Sequence, residues 1–505
     1  MRKKTIIKNS LTTILVQLVS IICSLVIKKI LLDFFSLELI GINSLVDTFY
    51  TSILFLDLGL TSMLTVSLMK AINIGDDKGA FYTLSIYKTI FFFLSMIIGL
   101  IGVITLINFD YLFNVSSEHL RVMYIIFTVQ LIEVMIKYLL MYKTNILIIY
   151  QKKYLSDLIL IIVNLFSFCF KVYTIIKLNN FILFSVISIF TPLIHYFFSI
   201  VYINNKHSYL RNIPYADMKS VQKSNVLKNT LLYLPRAIHG IVYYSMDNML
   251  ISKLFSLKTI GLLSNYNMVY GTINIFIIQL SNAIQSTIAN HMYVENDKQK
   301  DYKILEILNI INVLIVSIIV SGFILMSDNF ITLLFGSEYV IDRTIVVILA
   351  CILGLNSYFR FYENIHFIKG LMLKEKWSLI LSASLNIILS IYLGKKIGLE
   401  GVFLATFIST IVLRYGRISL VIKSEHCEIH SVAIRNIMNN LLFIAMNVTV
   451  TNILFSLFSL PQDTIIHFII NVVFICTVNV SLFILIGYNN MYFKELKKLL
   501  FKNNK

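Results

Sequence analysis

The feature that limits this chain most is a series of apolar blocks, each roughly twenty residues long, that recurs from residue 11 to residue 488 with only short polar breaks. A helix of about twenty apolar residues is long enough to cross the hydrocarbon of a bilayer. A transmembrane β-barrel would instead need segments of about ten residues alternating apolar and polar. Residues 90–107 are apolar on every side, which fits a helix and not such a strand. Of the 505 residues 58% are hydrophobic and 14% charged, with a mean hydropathy of +0.82, so a water-soluble core of this length could not hide the apolar surface. The predicted class is an all-α polytopic membrane protein with no soluble domain.

The blocks predict fourteen helices, over residues 10–32, 39–66, 83–108, 119–142, 154–176, 180–203, 229–252, 257–289, 304–326, 342–368, 376–394, 398–422, 437–458 and 464–487. With residues up to four positions inside a span end counted to the adjoining loop, 27 of the 43 Lys and Arg fall at the termini and even-numbered loops, 9 at the odd-numbered loops and 7 deeper inside spans. A threefold bias over short loops places both termini and the 204–228 loop on the cytoplasmic side. That loop, with Lys206, Arg211, Lys219, Lys223 and Lys228, divides six spans from eight. Phe35, Ser36, Leu37, Ile40, Gly41 and Ser44 recur as Phe255, Ser256, Leu257, Ile260, Gly261 and Ser264, six identities in ten positions at a constant offset of 220. Both copies open an inward-running span, which points to duplication. Six spans per copy makes the copies parallel through the membrane. The expected organisation is a six-helix lobe over 1–203, a linker over 204–228, a pseudo-symmetric lobe over 229–422, and two further helices with a basic tail over 423–505.

A net charge of +17 would suit nucleic acid, but these cations flank membrane spans and form no single basic face with interleaved aromatics. Five scattered cysteines without a CxxC pair indicate neither a disulfide framework nor a thiolate metal site. The first block follows Arg2, Lys3 and Lys4, is too long for a signal peptide's apolar region, and is expected to remain as a span. His426 and His430 stand four apart beside Glu425 and Glu428, a spacing that suits a metal on a helix. With no further ligand cluster nearby, a solvated loop is the expectation, and no metal site is assigned.

A charge at mid-bilayer costs roughly 2.5–3.5 kcal/mol, so depth decides which charges matter. Lys88, Lys171, Arg414 and Arg417 lie within about two turns of a span end and can reach the interface. Glu133 and Lys137, four apart, and Arg360 and Glu363, three apart, each share a helix face and are expected as intramembrane ion pairs. Arg360, roughly 27 Å into its span, either lines a polar cavity or reaches cytoplasmic water. The spans flanking the repeat carry Lys28 and Lys29, Asp47 and Asp57, and Arg236 and Asp247. Pro235 removes a backbone donor beside Arg236, so a bend is expected there. Lys28 and Lys29 face either the lumen or the interface. Asp57 lies either low in a cavity or at the cytoplasmic end of its helix.

Asn9 before a long first span, the turn of Ile40, Gly41, Ile42 and Asn43, the run Asp57, Leu58, Gly59 and Leu60, and Asp247 and Asn248 followed by Ile260, Gly261, Ser264, Asn265 and Tyr266 together form a pattern. In these motifs, and in length, span number and loop placement, the chain resembles the Wzx-type polysaccharide repeat-unit flippases. Their superfamily also contains the MATE exporters and the lipid II flippases. The resemblance implies two six-helix lobes around a central cavity, alternating access, and an undecaprenyl-diphosphate-linked oligosaccharide as cargo in a bacterial plasma membrane. Such a cargo keeps its apolar tail in the bilayer while its polar head needs shelter. Lys28, Lys29, Arg236 and Arg360 would attract the diphosphate, and Asn265 and Tyr266 would meet sugar hydroxyls. No Walker A sequence is present and no cofactor is expected. Energy must then come from an H+ or Na+ gradient, with Asp47, Asp57 and Asp247 as candidate carriers by residue type, or from the polymerase machinery that consumes the flipped product.

A MATE-like cation-coupled drug exporter would have twelve spans and an acidic cavity. A lipid II flippase shares the fourteen-span layout but would show more arginine in its first lobe, where only Arg121 accompanies Arg2. A membrane-embedded glycan polymerase or ligase would carry a large external loop, whereas the longest loop here is placed inside. An enzyme is not expected.

Overall fold

The computed structural model describes residues 2–487 except 58–59, 114, 116, 224–231, 233, 296–297, 426–429 and 459–463. His426 to Ile429 of the His426–His430 candidate and the basic tail therefore lie outside the described residues. The regular elements among the described residues are helical: α1 (Arg2–Phe34), α2 (Leu37–Ile53), α3 (Leu60–Ile74), α4 (Asp77–Ile107), α5 (Ser117–Ile149), α6 (Lys153–Ile176), α7 (Phe181–Lys206), α8 (Leu234–Leu254), α9 (Leu257–Glu295), α10 (Lys298–Leu334), α11 (Arg343–Tyr358), α12 (Arg360–Ile368), α13 (Lys376–Ile397), α14 (Leu399–Glu425), α15 (His430–Phe458) and α16 (Ile465–Gly487), with short helical turns between some of them. The expected all-α polytopic class is what the chain adopts. The chain divides into two compact units, Met1–Gly261 and Leu262–Lys505.

Among the described residues eleven stretches are long and apolar enough to cross a membrane. Helices α2 and α3, of 17 and 15 residues, fall short of that test in length, and α8 and α9 fall short in hydropathy. They are the ones carrying Asp47, Asp57, Arg236, Asp247, Asn265 and Tyr266. Polar residues at intramembrane positions lower the hydropathy of a span, and such positions face protein or water rather than lipid.

Two expected spans are broken. Residues 39–66 divide into α2, a short 3₁₀ turn (Leu54–Asp57) and α3. Asp57 accepts from the Thr61 amide (3.2 Å) and hydroxyl (3.0 Å), so it serves the first turn of α3 as a local cap. Residues 342–368 divide into α11 and α12 at Phe359. The carbonyls left open there are taken by Asn312 of α10, which donates to Tyr358 O (2.7 Å) and Ser357 O (3.2 Å).

In the first unit α1 lies along α6. Asn9 clamps them, its amide donating to Gln151 O (3.1 Å) and its carbonyl oxygen accepting from the Tyr154 amide (2.9 Å). Buried Asp157 of α6 adds bonds from Thr12 (3.2 Å), Thr13 (2.8 Å) and Lys153 (3.3 Å). The segment after α7 is held on α4: Lys88 Nζ donates to Ile213 O (2.7 Å), Ser85 to Pro214 O (2.9 Å), and Thr89 accepts from the Ala216 amide (2.8 Å). His207 stacks on Tyr150 with ring centroids 4.1 Å apart. Burial, and then the charge of Lys152, hold its imidazole below the ordinary value. Helix α8, grouped with the second lobe on sequence grounds, lies in the first unit, where Asn248 donates to Thr48 of α2 (2.9 Å).

The repeat reappears as a contact. A Cβ built on Gly41 would run into the carbonyl of Leu257, and a Cβ on Gly261 would run into the carbonyl of Leu37. Leu37 and Leu257 are themselves repeat partners, so the two copies cross through their own equivalent glycines. Only glycine permits backbones this close, the usual reason for small residues at membrane helix crossings.

Candidate functional site

The first unit gathers charge on four helices. Asp47, mid-way along α2, accepts from Gln130 of α5 and from Asn43 (2.7 Å). Lys28 of α1 and Lys171 of α6 interact electrostatically with it, and Glu133 of α5 interacts with Asp47, Lys171 and Lys137. Asp47 remains exposed in this setting, and Lys28, Glu133, Lys137 and Lys171 are half-buried. The carboxylate of Asp47 is thus flanked by side chains from three other helices. Three ammoniums stand against two carboxylates.

The second unit carries a tighter group. Glu363 of α12 is bridged by Arg360 (2.9 Å), Arg414 and Arg417, the last two from α14. Arg417 Nε also donates to Glu375 (2.6 Å), which is fully buried, and His366 lies 3.7 Å from the same carboxylate. Arg414 donates to Asn356 Oδ1 of α11 (2.6 Å), and Asn356 donates to Tyr270 of α9 (3.1 Å). One hydrogen-bonded path thus runs from α9 through α11 and α14 to α12 and the start of α13. Helix α9 is held at two further points on that side: Tyr266 donates to Asp328 (2.6 Å), itself paired with Arg343 (2.9 Å), and Ser281 accepts from Asn364 (2.8 Å). Buried guanidiniums are tolerated only when paired, and removing one partner of such a pair costs about 3–5 kcal/mol.

No family profile matches the sequence, and no curated protein matches it. Solved structures do. A lipid II flippase, MurJ, in its inward closed conformation superposes with a TM-score of 0.68 over 96% of this chain and 99% of its own, at 16% identity. An inward-facing multidrug resistance MATE transporter of the MOP superfamily reaches 0.59 over 84% of this chain and 100% of its own, at 15% identity. A MOP-superfamily transporter from Pyrococcus furiosus, described as having a binding pocket of reversed polarity, reaches 0.56 over 84% and 95%, at 14% identity. The chain has the fold of the MOP-superfamily transporters.

Against that fold the remaining expected residues take different positions. Lys29 forms an exposed pair with Asp33 (3.0 Å), a local contact one turn along α1. Arg236 is half-buried in the first described turn of α8 beside Pro235, and Asp247 is half-buried further along the same helix. Asn265 is fully buried, with no hydrogen-bond partner for either amide atom. The Tyr266 hydroxyl is committed to Asp328 rather than open to a sugar. The Arg360–Glu363 pair forms as the spacing predicts, and Glu133 and Lys137 interact electrostatically one turn apart.

Three cations that depth alone sets aside belong to these groups. Arg414 and Arg417 do not reach for the interface; each is only 8% exposed and bonded to carboxylates. Lys171 joins the group around Asp47 and lies over the Phe184 ring, 5.4 Å from its centroid. The available signal was pairing: Arg414 and Arg417 stand three apart, as do Arg360 and Glu363, so two spans each present a charged face that the other can neutralise.

Proposed function

We propose that this chain is a flippase that moves undecaprenyl-diphosphate-linked oligosaccharide repeat units from the cytoplasmic to the external leaflet for surface polysaccharide synthesis, by alternating access and without covalent chemistry. The observation that supports this reading is the set of intramembrane cations among the described residues, three lysines beside two carboxylates around Asp47 and three arginines beside two carboxylates around Glu363. A diphosphate head is the part of the cargo that hydrocarbon rejects, and positively biased polar surface is what would shelter it. The isoprenoid tail needs no such shelter.

In this reading Lys28, Lys171 and Arg236 attract the diphosphate, and Asp47 is the first candidate to carry H+ or Na+, with Asp247 second. Asp57, bonded to Thr61, is the weaker carrier. The chain is placed in a bacterial plasma membrane with both termini cytoplasmic, and polymerase machinery consumes the product. Deleting the gene should abolish surface polysaccharide while lipid-linked repeat units accumulate on the cytoplasmic leaflet. Intact polysaccharide with altered sensitivity to cationic dyes would overturn this in favour of drug export.

Lipid II is the second reading, favoured by the likeness to MurJ over nearly the full length of both chains. Depletion separates the two: loss of lipid II transport stops growth and lyses cells, whereas loss of repeat-unit transport leaves cells growing without their surface polymer.

A further inference from the structure

Lys88 of α4 and Lys143 of α5 lie under the segment that follows α7, close enough to interact electrostatically with each other. Their hydrogen bonds go to backbone carbonyls of that segment: Lys88 Nζ donates to Ile213 O (2.7 Å) and Lys143 Nζ to Arg211 O (3.3 Å). Among the described residues neither ammonium pairs with a carboxylate, unlike Lys29, Lys153 and the arginines around Glu363. Lys143 is only 4% exposed, whereas Lys88 is half-buried and keeps an open side. An ammonium has three donors and a full charge, and one carbonyl answers a single donor and none of the charge. Two like charges held together with so little water around them are stabilised by an anion.

The segment holds the pair in place. Buried Leu210 and Ile213 anchor it, together with the bonds from Ser85 to Pro214 O (2.9 Å) and from the Ala216 amide to Thr89 (2.8 Å). Its outer side is open, since Arg211, Pro214 and Tyr215 are exposed, and the centroid of the Tyr215 ring lies 4.1 Å from Lys88 Nζ. Helices α4 and α5 have 31 and 33 residues, so each outruns the ~30 Å of bilayer hydrocarbon by roughly 16–20 Å. Lys143, about 9 Å from the end of α5, therefore sits near headgroup level, and Lys88, about 16 Å from the start of α4, reaches that level along its own stem. An exposed tyrosine beside it suits the same depth.

We propose that Lys88 and Lys143 form a binding site for one phosphate group at the membrane surface. The phosphate accepts from Lys88 on its open side, and Lys143 behind it adds charge through surroundings of low dielectric. Each lysine is a point charge and not a planar fork, so the site reads charge more than shape. Two sources carry this chemistry, the head of an anionic phospholipid and free phosphate. The site shares no residue with the groups around Asp47 and Glu363, so its failure would leave the proposed transport function standing.

The test uses the full chain purified in mild detergent. Native mass spectrometry follows titration with phosphatidylglycerol or phosphatidylcholine of the same acyl chains, and thermal unfolding compares inorganic phosphate with chloride at equal ionic strength. A lipid source should give one phosphatidylglycerol bound about tenfold more tightly than phosphatidylcholine, the preference expected of one or two lysines beside an anionic headgroup. A free source should give an unfolding midpoint raised by inorganic phosphate and not by chloride. Either signal should be lost in Lys88→Gln and Lys143→Gln and kept in Lys88→Arg, which retains the charge. Lys152→Gln removes an equal charge at the same end of α5 and should change nothing. The proposal is overturned if the wild type shows neither signal, if both glutamine variants keep it, or if Lys152→Gln weakens it as much as they do.

Discussion

Replacing Gly41 or Gly261 by alanine tests the crossing of the two repeat copies. At either position the new methyl would occupy the space of a backbone carbonyl, Leu257 for Gly41 and Leu37 for Gly261. A carbonyl cannot rotate away as a side chain can, so the helices must separate, and overpacking of this kind costs about 1–3 kcal/mol. Alanine recovers about 1 kcal/mol of helix propensity, leaving each variant roughly 2 kcal/mol less stable if the crossing sits at the top of that range. Gly271 and Gly322, also helical, have nothing within 4 Å of a built Cβ, so Gly271→Ala and Gly322→Ala should be neutral or up to about 1 kcal/mol more stable. The double variant Gly41→Ala with Gly261→Ala should cost less than the two singles added, because one separation relieves both overlaps; a coupling of about 1 kcal/mol is expected. Unfolding in detergent, followed by helical circular dichroism for all five variants, measures these differences. If Gly41→Ala and Gly261→Ala prove as stable as Gly271→Ala, the close crossing does not exist and the contact between the repeat copies must be abandoned.

Other expectations follow from the two charge groups and the α1–α6 clamp. Glu363→Gln leaves three guanidiniums around a neutral amide and should destabilise the chain by about 3–5 kcal/mol, visible as a lowered unfolding midpoint; a shift near zero would mean the cluster is not buried as described. Asn9→Ala removes two bonds to α6 and should cost about 1–3 kcal/mol by the same measurement. Arg236→Ala should abolish transport at normal expression, and wild-type export would remove Arg236 from the site. Lys171→Gln should reduce export sharply, since it removes one of three ammoniums from the group around Asp47; unchanged export would return Lys171 to the membrane interface.

The helical class and eleven membrane-length stretches among the described residues were legible because they depend on block length and hydropathy, which neighbouring residues in the sequence set by themselves. The broken span at Asp57 was not, because a 3₁₀ turn and a Thr61 cap leave the hydropathy pattern unchanged. The same holds at Phe359, where Asn312, forty-seven positions away, takes the freed carbonyls. Arg360 with Glu363 was visible as a local spacing. The larger cluster was not, since Arg414, Arg417 and Glu375 come from other helices and their depth suggested the interface. Tyr266 had the right chemistry for a sugar, but its partner Asp328 lies on the next helix, and nothing in the spacing announced that bond. The glycine crossing was half legible: duplication marked the two positions as equivalent without saying that they touch.

Transport itself is measured most directly in proteoliposomes holding the purified chain and an undecaprenyl-diphosphate-linked oligosaccharide with an oxidisable terminal sugar, enclosed at first in the inner leaflet. The account predicts that the sugar becomes accessible to an external, membrane-impermeant oxidase with the wild-type chain, and much more slowly with the Lys28→Gln and Lys171→Gln double variant. Accessibility no faster than in protein-free liposomes would contradict it.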